Sequence, residues 1–144
     1  MINPYYIFQT TVHHDWVDYN GHLNDAMYNR IFSDATDDWL EYLGLTIDTI
    51  KTYQYTVFTL ENHVMFLKEM KENEEVKIRV YLYDYDSKRL HVLMEMYNAN
   101  EDMCSTYEVM LMGTNTDQGR PQAFPDALMK RIEYYYNNKK ATTS

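Results

Sequence analysis

The feature that most constrains the fold of this chain is one long helix pattern followed by four strand patterns. Apolar residues from Met27 to Leu43 recur at steps of one, three and four, which predicts a helix with a wide apolar stripe. Asn24 stands where an N-cap belongs, and Gly44 stands where the helix would end. A stripe this wide must be buried, so we expect other elements to cover it.

The covering elements are predicted to be strands. Residues 75–85 alternate between apolar and other side chains, and aromatic and β-branched residues mark the segments 5–13, 55–67, 89–98 and 103–114. Short polar turns separate the last four strands, which predicts hairpins and a mostly antiparallel sheet. A short helix is predicted at 125–137. The chain is therefore predicted to be one α+β domain, 1–144, with a curved sheet of about five strands around a long central helix.

Composition narrows the classes of partner and location. The formal net charge is −9, from 22 acidic and 13 basic residues, which argues against nucleic acid and anionic membrane surfaces. No apolar run approaches the roughly 18 residues that span a bilayer, and the N-terminus does not resemble a signal peptide. Cys104 is the single cysteine, so we expect no intrachain disulfide and a cytoplasmic protein. The chain lacks C-x-x-C and H-E-x-x-H, so no metal site is expected.

The segment "DWVDYNGHLNDAMY", residues 15–28, concentrates carboxylates, amides and a histidine just before the predicted helix. Asp18 has two interpretations: it forms an Asx-turn that leads into the helix, or it is a reactive carboxylate. A helix N-terminus beside it would favour the ionised carboxylate and polarise a carbonyl oxygen. Asp15 is interpreted as a structural acid.

Asn20, Gly21 and His22 share the same loop. Asn20 would bond a substrate carbonyl or position water, and His22 would orient either group or act as an acid or base. The alternative is that both side chains satisfy backbone groups of the loop, because Asn-Gly is also a turn dipeptide.

The loop from Asp18 to Asn24 is an aspartate followed by a polar run with glycine, and Tyr28 lies one turn into the helix; this pattern resembles the hotdog-fold acyl-CoA thioesterases of the 4-hydroxybenzoyl-CoA thioesterase type. Its D-x-N-x-H-x-N spacing is also similar to the loop of plant-type acyl-carrier-protein thioesterases, which share that fold. The order of predicted elements is similar too, over a core of about residues 5–116. The resemblance implies that the antiparallel sheet wraps the central helix and that the chain hydrolyses an acyl-CoA. It also implies a homodimer or homotetramer with sites at the subunit interface, and no metal or redox cofactor.

The resemblance assigns roles to the loop. Asp18 would be the nucleophile or general base, with the helix N-terminus as oxyanion stabiliser and Asn20 and His22 as auxiliary catalytic residues. Gly21 and Tyr28 would contact substrate.

A narrower likeness concerns the substrate. The stretches "WVDYNGHL" and "YTVFTLENHVMFLKEM" are similar to the betainyl-CoA thioesterases of carnitine breakdown. For an acyl group with a trimethylammonium end, Trp16, Tyr55 or Tyr19 would offer ring faces to the cation.

Glu61 is a second candidate acid, inside the strand pattern at 55–67. By strict alternation it would share its face with Val57, Thr59 and His63. In the resembled fold this strand passes the active site of the partner subunit, so Glu61 would be a second base or a substrate ligand. The alternative is a structural ion pair with His63 or a lysine.

Ser87, Lys88 and Arg89 form a cationic cluster at a predicted hairpin, which would suit the phosphates of CoA or would simply be a solvated turn. Hotdog enzymes usually carry glycine in two of their hairpins, where this chain has "KENEEV" and "NANEDM". We expect Asn73 and Asn100 to adopt the left-handed conformation there.

The function predicted from the sequence is hydrolysis of a small acyl-CoA thioester, such as betainyl-CoA, to a free acid and CoA. Two alternatives remain open at this point. One is a hotdog hydratase or dehydratase that acts on enoyl-CoA and releases no thiol. The other is a non-catalytic module that binds acyl-CoA without turnover.

Overall fold

The computed structural model describes residues 6–143, with side chains as far as Asn138. Tyr5, where the first strand was predicted to begin, lies outside the described residues. A single 3-10 turn, His14–Trp16, follows the first strand. The main elements in chain order are β1 Tyr6–Thr11, α1 Asp25–Tyr42, α2 Ile47–Tyr53, β2 Tyr55–Phe66, β3 Glu75–Tyr85, β4 Arg89–Tyr97, β5 Met103–Asn115 and α3 Asp126–Thr143.

The five strands form one antiparallel sheet in the order β1-β3-β4-β5-β2. This confirms the predicted fold class. One predicted connection is wrong: β2 and β3 do not form a hairpin, because β2 pairs with β5 at the far edge of the sheet. Residues 67–74 instead cross the end of the sheet from β2 to β3. We call this segment the crossover. A short polar turn shows that a strand ends, but which strand comes next to it in the sheet depends on the whole fold.

Helix α1 lies against the sheet as its apolar spacing predicted. Its buried face includes Phe32 and Trp39. The Phe32 ring stacks on Tyr107 of β5, with centroids 4.7 Å apart and planes 6° apart. Asn24 caps the helix, since its side chain accepts the N–H of Ala26 at 3.0 Å. The N-cap prediction is therefore confirmed.

Helix α2 was not predicted from the sequence. It is only seven residues long and has no buried residue, and two turns are too short a window for a periodicity argument. Its ends are set locally instead: Thr46 and Thr49 form a reciprocal capping box.

Helix α3 is longer than the predicted 125–137. It covers one end of the core, where Tyr135 is fully buried and packs edge-on against Trp39 at 5.5 Å. The hydroxyl of Tyr135 donates to the carbonyl of Val80 on β3 at 2.6 Å. These contacts anchor the C-terminal helix to the sheet.

The two turns that lack glycine behave differently. Asn73 has φ of 70°, as expected. In the second turn the left-handed residue is Glu101, with φ of 63°, rather than Asn100, so that expectation is wrong. The side chain of Asn98 accepts the N–H groups of Asn100 and Asp102, and these two bonds accompany the left-handed conformation of Glu101 between them.

Candidate active site

The segment from Val17 to Leu23 folds back on itself as a tight loop in front of α1. Val17 and Leu23 form an isolated antiparallel bridge, and the N–H of Asp18 donates to the carbonyl of His22 at 2.9 Å. Gly21 sits at the tip with φ of 77°, a conformation that glycine adopts without the steric cost of a Cβ. The Asn-Gly dipeptide therefore forms the turn that its sequence indicates. We call residues 17–23 the Asp18 loop.

The carboxylate of Asp18 is half-buried and holds the loop together. Its Oδ1 accepts the N–H of Asn20 at 2.9 Å and the N–H of His22 at 3.1 Å. Its Oδ2 has no hydrogen bond with any residue between 6 and 138. The Asx-turn interpretation is therefore structurally correct, and it leaves one carboxylate oxygen available for chemistry.

Backbone hydrogen bonds join the crossover to the Asp18 loop. Leu23 donates its N–H to the carbonyl of Met70 at 2.7 Å, and Glu72 donates to the carbonyl of Gly21 at 3.2 Å. The Nδ1 of His22 lies 3.2 Å from a carboxylate oxygen of Glu69. Sequence reasoning missed Glu69, because the segment between β2 and β3 was interpreted as a hairpin turn and no local signal links residues that lie so far apart in the chain.

The N-terminus of α1 points at the loop, but its first N–H groups are partly occupied. The N–H of Ala26 donates to the side-chain oxygens of both Asn24 and Asp25, at 3.0 and 2.8 Å. The N–H of Asn24 donates to the carbonyl of Trp16 at 2.9 Å. The helix dipole acts on the loop, whereas the N–H of Ala26 is already used within the helix cap.

A shallow cavity of about 320 Å³ adjoins the Asp18 loop, between the first turn of α1 and the end of β2. Tyr28 and Phe66 line it, and their rings meet edge-on with centroids 5.1 Å apart. The hydroxyl of Tyr28 donates to the carbonyl of Lys68 at 3.3 Å. Burial raises the pKa of Tyr28, so its hydroxyl remains protonated and a donor at neutral pH. We call this cavity the aromatic cavity.

The other predicted residues of the loop region lie close by. Asn20 is exposed, and its N–H bonds Asp18. Trp16 is half-buried and packs edge-on against His13 at 4.4 Å, while Tyr19 is 97% exposed. The structure thus brings Trp16, Asn20 and their neighbours Asp18, Gly21, His22 and Tyr28 to one end of the sheet.

Tyr55 lies at the opposite end. Eleven residue steps along β2, at roughly 3.3 Å each, separate it from Phe66 by about 36 Å. Its ring is only 1% exposed, and its hydroxyl donates to the carbonyl of Gln122 at 3.1 Å. In this chain Tyr55 is a core residue with no ring face open to a ligand.

Ser87, Lys88 and Arg89 also lie at the Tyr55 end. The carbonyl of Lys88 accepts the N–H of Gly113, and that of Ser87 accepts the N–H of Phe124. Within one chain, the full length of β3 and β4 therefore separates this hairpin from Asp18.

Glu61 differs from its sequence-based description. A β-bulge at Leu60 shifts the register, so Thr59 pairs with Leu111 and Glu61 with Met110. Val57 and Thr59 consequently face α1, whereas Glu61 and His63 face away from it. Glu61 is exposed and forms no ion pair with a side chain between residues 6 and 138, so the alternative of an ion pair with His63 or a lysine is not seen in this part of the chain.

A second cavity, of about 330 Å³, lies on this outer face of the sheet. Glu61 and His63 line it together with His91 and Glu108, whose side chains pair at 2.9 Å. Between residues 6 and 143, no three His, Cys, Asp or Glu side chains are placed to hold a metal ion. In the same part of the chain, no helix is long and apolar enough to cross a membrane.

The antiparallel sheet around α1, with a carboxylate loop before that helix, is the arrangement of the hotdog-fold thioesterases. Comparison with known proteins supports this class. The model of the thioesterase-like superfamily matches residues 12–132. A solved structure from Staphylococcus aureus, in complex with CoA, superposes with a TM-score of 0.92 at 37% identity, covering 96% of this chain and 88% of that one.

Two curated relatives are also similar. The betainyl-CoA thioesterase of Pseudomonas aeruginosa is 37% identical over 127 residues, which are 88% of this chain and 80% of that protein. The L-carnitine dehydrogenase/betainyl-CoA thioesterase of Agrobacterium fabrum is 32% identical over 91% of this chain, which spans 27% of that longer protein. The chain belongs to the thioesterase-like superfamily and is a thioester hydrolase.

Proposed function

We propose that this protein hydrolyses a small acyl-CoA thioester, betainyl-CoA among the candidates, with Asp18 as the reactive carboxylate. The observation that carries the proposal is the geometry of Asp18. Two backbone N–H groups fix its Oδ1, while its Oδ2 has no partner among residues 6–138. A fixed carboxylate with one available oxygen beside a helix N-terminus is suited to act on a bound carbonyl.

The reaction needs only water and the acyl-CoA. Either Asp18 takes a proton from a water molecule that attacks the thioester carbonyl, or its Oδ2 attacks the carbonyl and water then hydrolyses the resulting anhydride. In both routes the C–S bond breaks and CoA leaves as a thiolate that takes up a proton. The products are a carboxylic acid and free CoA. No cofactor takes part in either route.

The roles of the neighbouring residues follow from their positions. His22 is oriented by Glu69 at 3.2 Å and lies on the same turn as Asp18, so it is suited to protonate the departing thiolate. Asn20 is exposed at the tip of the loop, where its amide would position the water or the carbonyl. Gly21 leaves the tip free of a side chain, which gives the thioester room.

The similarity to proteins named betainyl-CoA thioesterases supports the choice of substrate. The CoA in the structure from Staphylococcus aureus supports CoA as the carrier. We place the reaction in the cytoplasm, consistent with a single cysteine that cannot form an intrachain disulfide.

The protein is proposed to work as a homo-oligomer of at least two chains. Strand β2 is twelve residues long, and among the strands that the structure describes it has a neighbour on one side only. Its side chains Leu60 and Met65 are 48% and 49% exposed. A long apolar edge strand of this kind is a template for pairing with another chain, and a two-fold axis would let two copies of β2 pair with each other.

Such pairing would complete the candidate site. Two antiparallel copies of β2 place the Tyr55 end of one chain beside the Phe66 end of the other. The cationic hairpin of Ser87, Lys88 and Arg89, which is remote from Asp18 in one chain, would then approach the Asp18 loop of the partner subunit. This arrangement supports a role for the hairpin with the phosphates of CoA, and a position for Glu61 near the subunit interface.

The test is an assay of free thiol with acetyl-, butyryl-, benzoyl- and betainyl-CoA. We expect wild type to release thiol from at least one of them, and Asp18→Asn to lose a hundredfold or more of kcat/KM. Glu133→Gln removes an exposed carboxylate on α3 and serves as the matched control. No thiol from any substrate would contradict the thioesterase proposal. Full activity of Asp18→Asn with an inactive Glu61→Gln would show that Glu61 is the principal acid.

The two alternatives give different results in the same assay. A hydratase or dehydratase would change the absorbance of an enoyl-CoA without releasing thiol. A non-catalytic module would bind acyl-CoA and leave it intact.

A further inference from the structure

The aromatic cavity beside the Asp18 loop has a distinctive chemistry. One wall is the ring of Phe66, which is 55% exposed although Tyr28 packs edge-on against it. The buried side chain of Leu23 also lines the cavity. The cavity therefore presents an aromatic surface to a ligand, immediately next to the loop that carries Asp18.

The charges around this cavity are negative. Asp25 and Glu69 both line it. Among the described residues that line the cavity, the one cation is Lys68, which pairs with Asp102 at 2.6 Å, so its charge is already neutralised. An aromatic ring face with carboxylates around it attracts a cation through its charge alone. Because this attraction requires no hydrogen-bond donor, the cavity suits a cation that has none.

We propose that the aromatic cavity binds a quaternary ammonium group of the acyl moiety and that Phe66 is the residue that determines this specificity. The inference rests on the proposed thioesterase function and names the part of the site that selects the substrate. Phe66 offers its ring to the methyl groups of the cation, and Asp25 and Glu69 complement its charge.

The position of the cavity fits the chemistry of such a substrate. In a betainyl thioester a single CH₂ group separates the ammonium nitrogen from the thioester carbonyl. The cation must therefore bind within a few bond lengths of the reacting carbon. Asp25 follows the Asp18 loop by two residues, and Glu69 contacts His22 of that loop, so the cavity and the proposed reactive carboxylate meet this requirement.

The experiment compares two substrates of the same shape. Betainyl-CoA carries a trimethylammonium group, and 3,3-dimethylbutyryl-CoA carries a neutral tert-butyl group in the same place. Thiol release gives kcat/KM for each with the full-length protein. The charged substrate is intrinsically more reactive, so the readout is how the ratio of the two kcat/KM values changes between wild type and each variant. Intrinsic reactivity cancels in that comparison.

We expect Phe66→Leu to lower the ratio of betainyl to neutral substrate by about fivefold, the size of a cation–π contact at a partly exposed site. Phe66→Tyr keeps an aromatic face and should retain the ratio within about twofold. Asp25→Asn should lower it by about threefold through loss of charge. The matched control is Phe58→Leu, a 61% exposed phenylalanine on the opposite face of the same strand, which should leave the ratio unchanged.

The outcomes separate this inference from the proposed function. Wild type that hydrolyses both substrates, with a ratio that Phe66→Leu does not change, overturns the cation site and leaves the thioesterase standing. Hydrolysis of other acyl-CoA substrates but not betainyl-CoA overturns it as well. Absence of thiol release from every substrate instead contradicts the thioesterase function itself.

Discussion

The Oδ1 of Asp18 accepts the backbone N–H of His22 at 3.1 Å, so the candidate reactive carboxylate also closes the loop that presents it. The same oxygen accepts the N–H of Asn20. Structural and chemical roles are therefore divided between the two oxygens of one side chain. Substitutions that preserve one oxygen and remove the charge can distinguish the two roles.

Asp18→Asn and Asp18→Ala should differ in stability and agree in activity. Asparagine keeps an Oδ1 that accepts both N–H groups, so the melting temperature should stay within about 2 °C of wild type. Alanine removes both hydrogen bonds, which should cost about 1–3 kcal/mol of unfolding free energy and lower the melting temperature by about 3–8 °C. Thermal denaturation followed by circular dichroism measures the difference. Equal destabilisation of the two variants would contradict the assigned role of Oδ1.

The hydroxyl of Tyr135 is expected to stabilise the attachment of α3 to the sheet. It donates to the carbonyl of Val80 at 2.6 Å and accepts the N–H of Tyr6 at 3.2 Å. Tyr135→Phe removes both of these hydrogen bonds and should cost about 1–3 kcal/mol. Urea denaturation would measure the loss. The neighbouring Tyr134, 38% exposed, provides the control: Tyr134→Phe should change stability by less than about 0.5 kcal/mol.

Asp86 should make stability depend on pH below about 5. Backbone hydrogen bonds from Lys88, and then from Arg89, lower the pKa of the Asp86 carboxyl from its usual value of 3.8. A lowered folded-state pKa means that the stabilisation is present above the unfolded value and is lost as the pH falls through the folded one. The difference in melting temperature between wild type and Asp86→Asn should therefore shrink as the pH falls from 5 to 2. A difference in melting temperature that stays constant from pH 5 to pH 2 would contradict the lowered pKa of Asp86.

Charges on β2 should separate the subunits. The double variant Leu60→Lys and Met65→Lys places like charges on both copies of the proposed interface, so it should sediment as a single chain where wild type sediments as two or more. Ile7→Lys, on the edge strand β1 and 45% exposed, should keep the wild-type mass. Analytical ultracentrifugation gives the masses. A wild type that is already monomeric would refute the oligomer.

Local patterns in the sequence predicted much of the fold correctly. Apolar spacing identified α1, and its cap at Asn24 followed from the residue type. Alternation identified β3 with its observed bounds. These features succeed because the period of a helix or strand is a property of a few neighbouring residues.

The sequence analysis did not predict the β-bulge in β2 or the connection between β2 and β3. The extra residue at Leu60 turned Glu61 to the opposite face from Val57 and Thr59, although the alternation itself looked regular. The crossover was interpreted as a hairpin turn, since a turn signal marks the end of a strand and carries no information about its neighbour.

By itself, the sequence determined the helix, the strands and the spacing that puts Asp18, Asn20 and His22 on one loop. Only the tertiary structure decided that the crossover supports that loop, that Glu69 meets His22 across 47 positions of chain, and that Phe66 forms a wall beside it. The physical reason is that the periodicity of a helix or a strand depends on residues close together in the sequence. The distances between the residues of a site depend instead on how the whole sheet packs around α1.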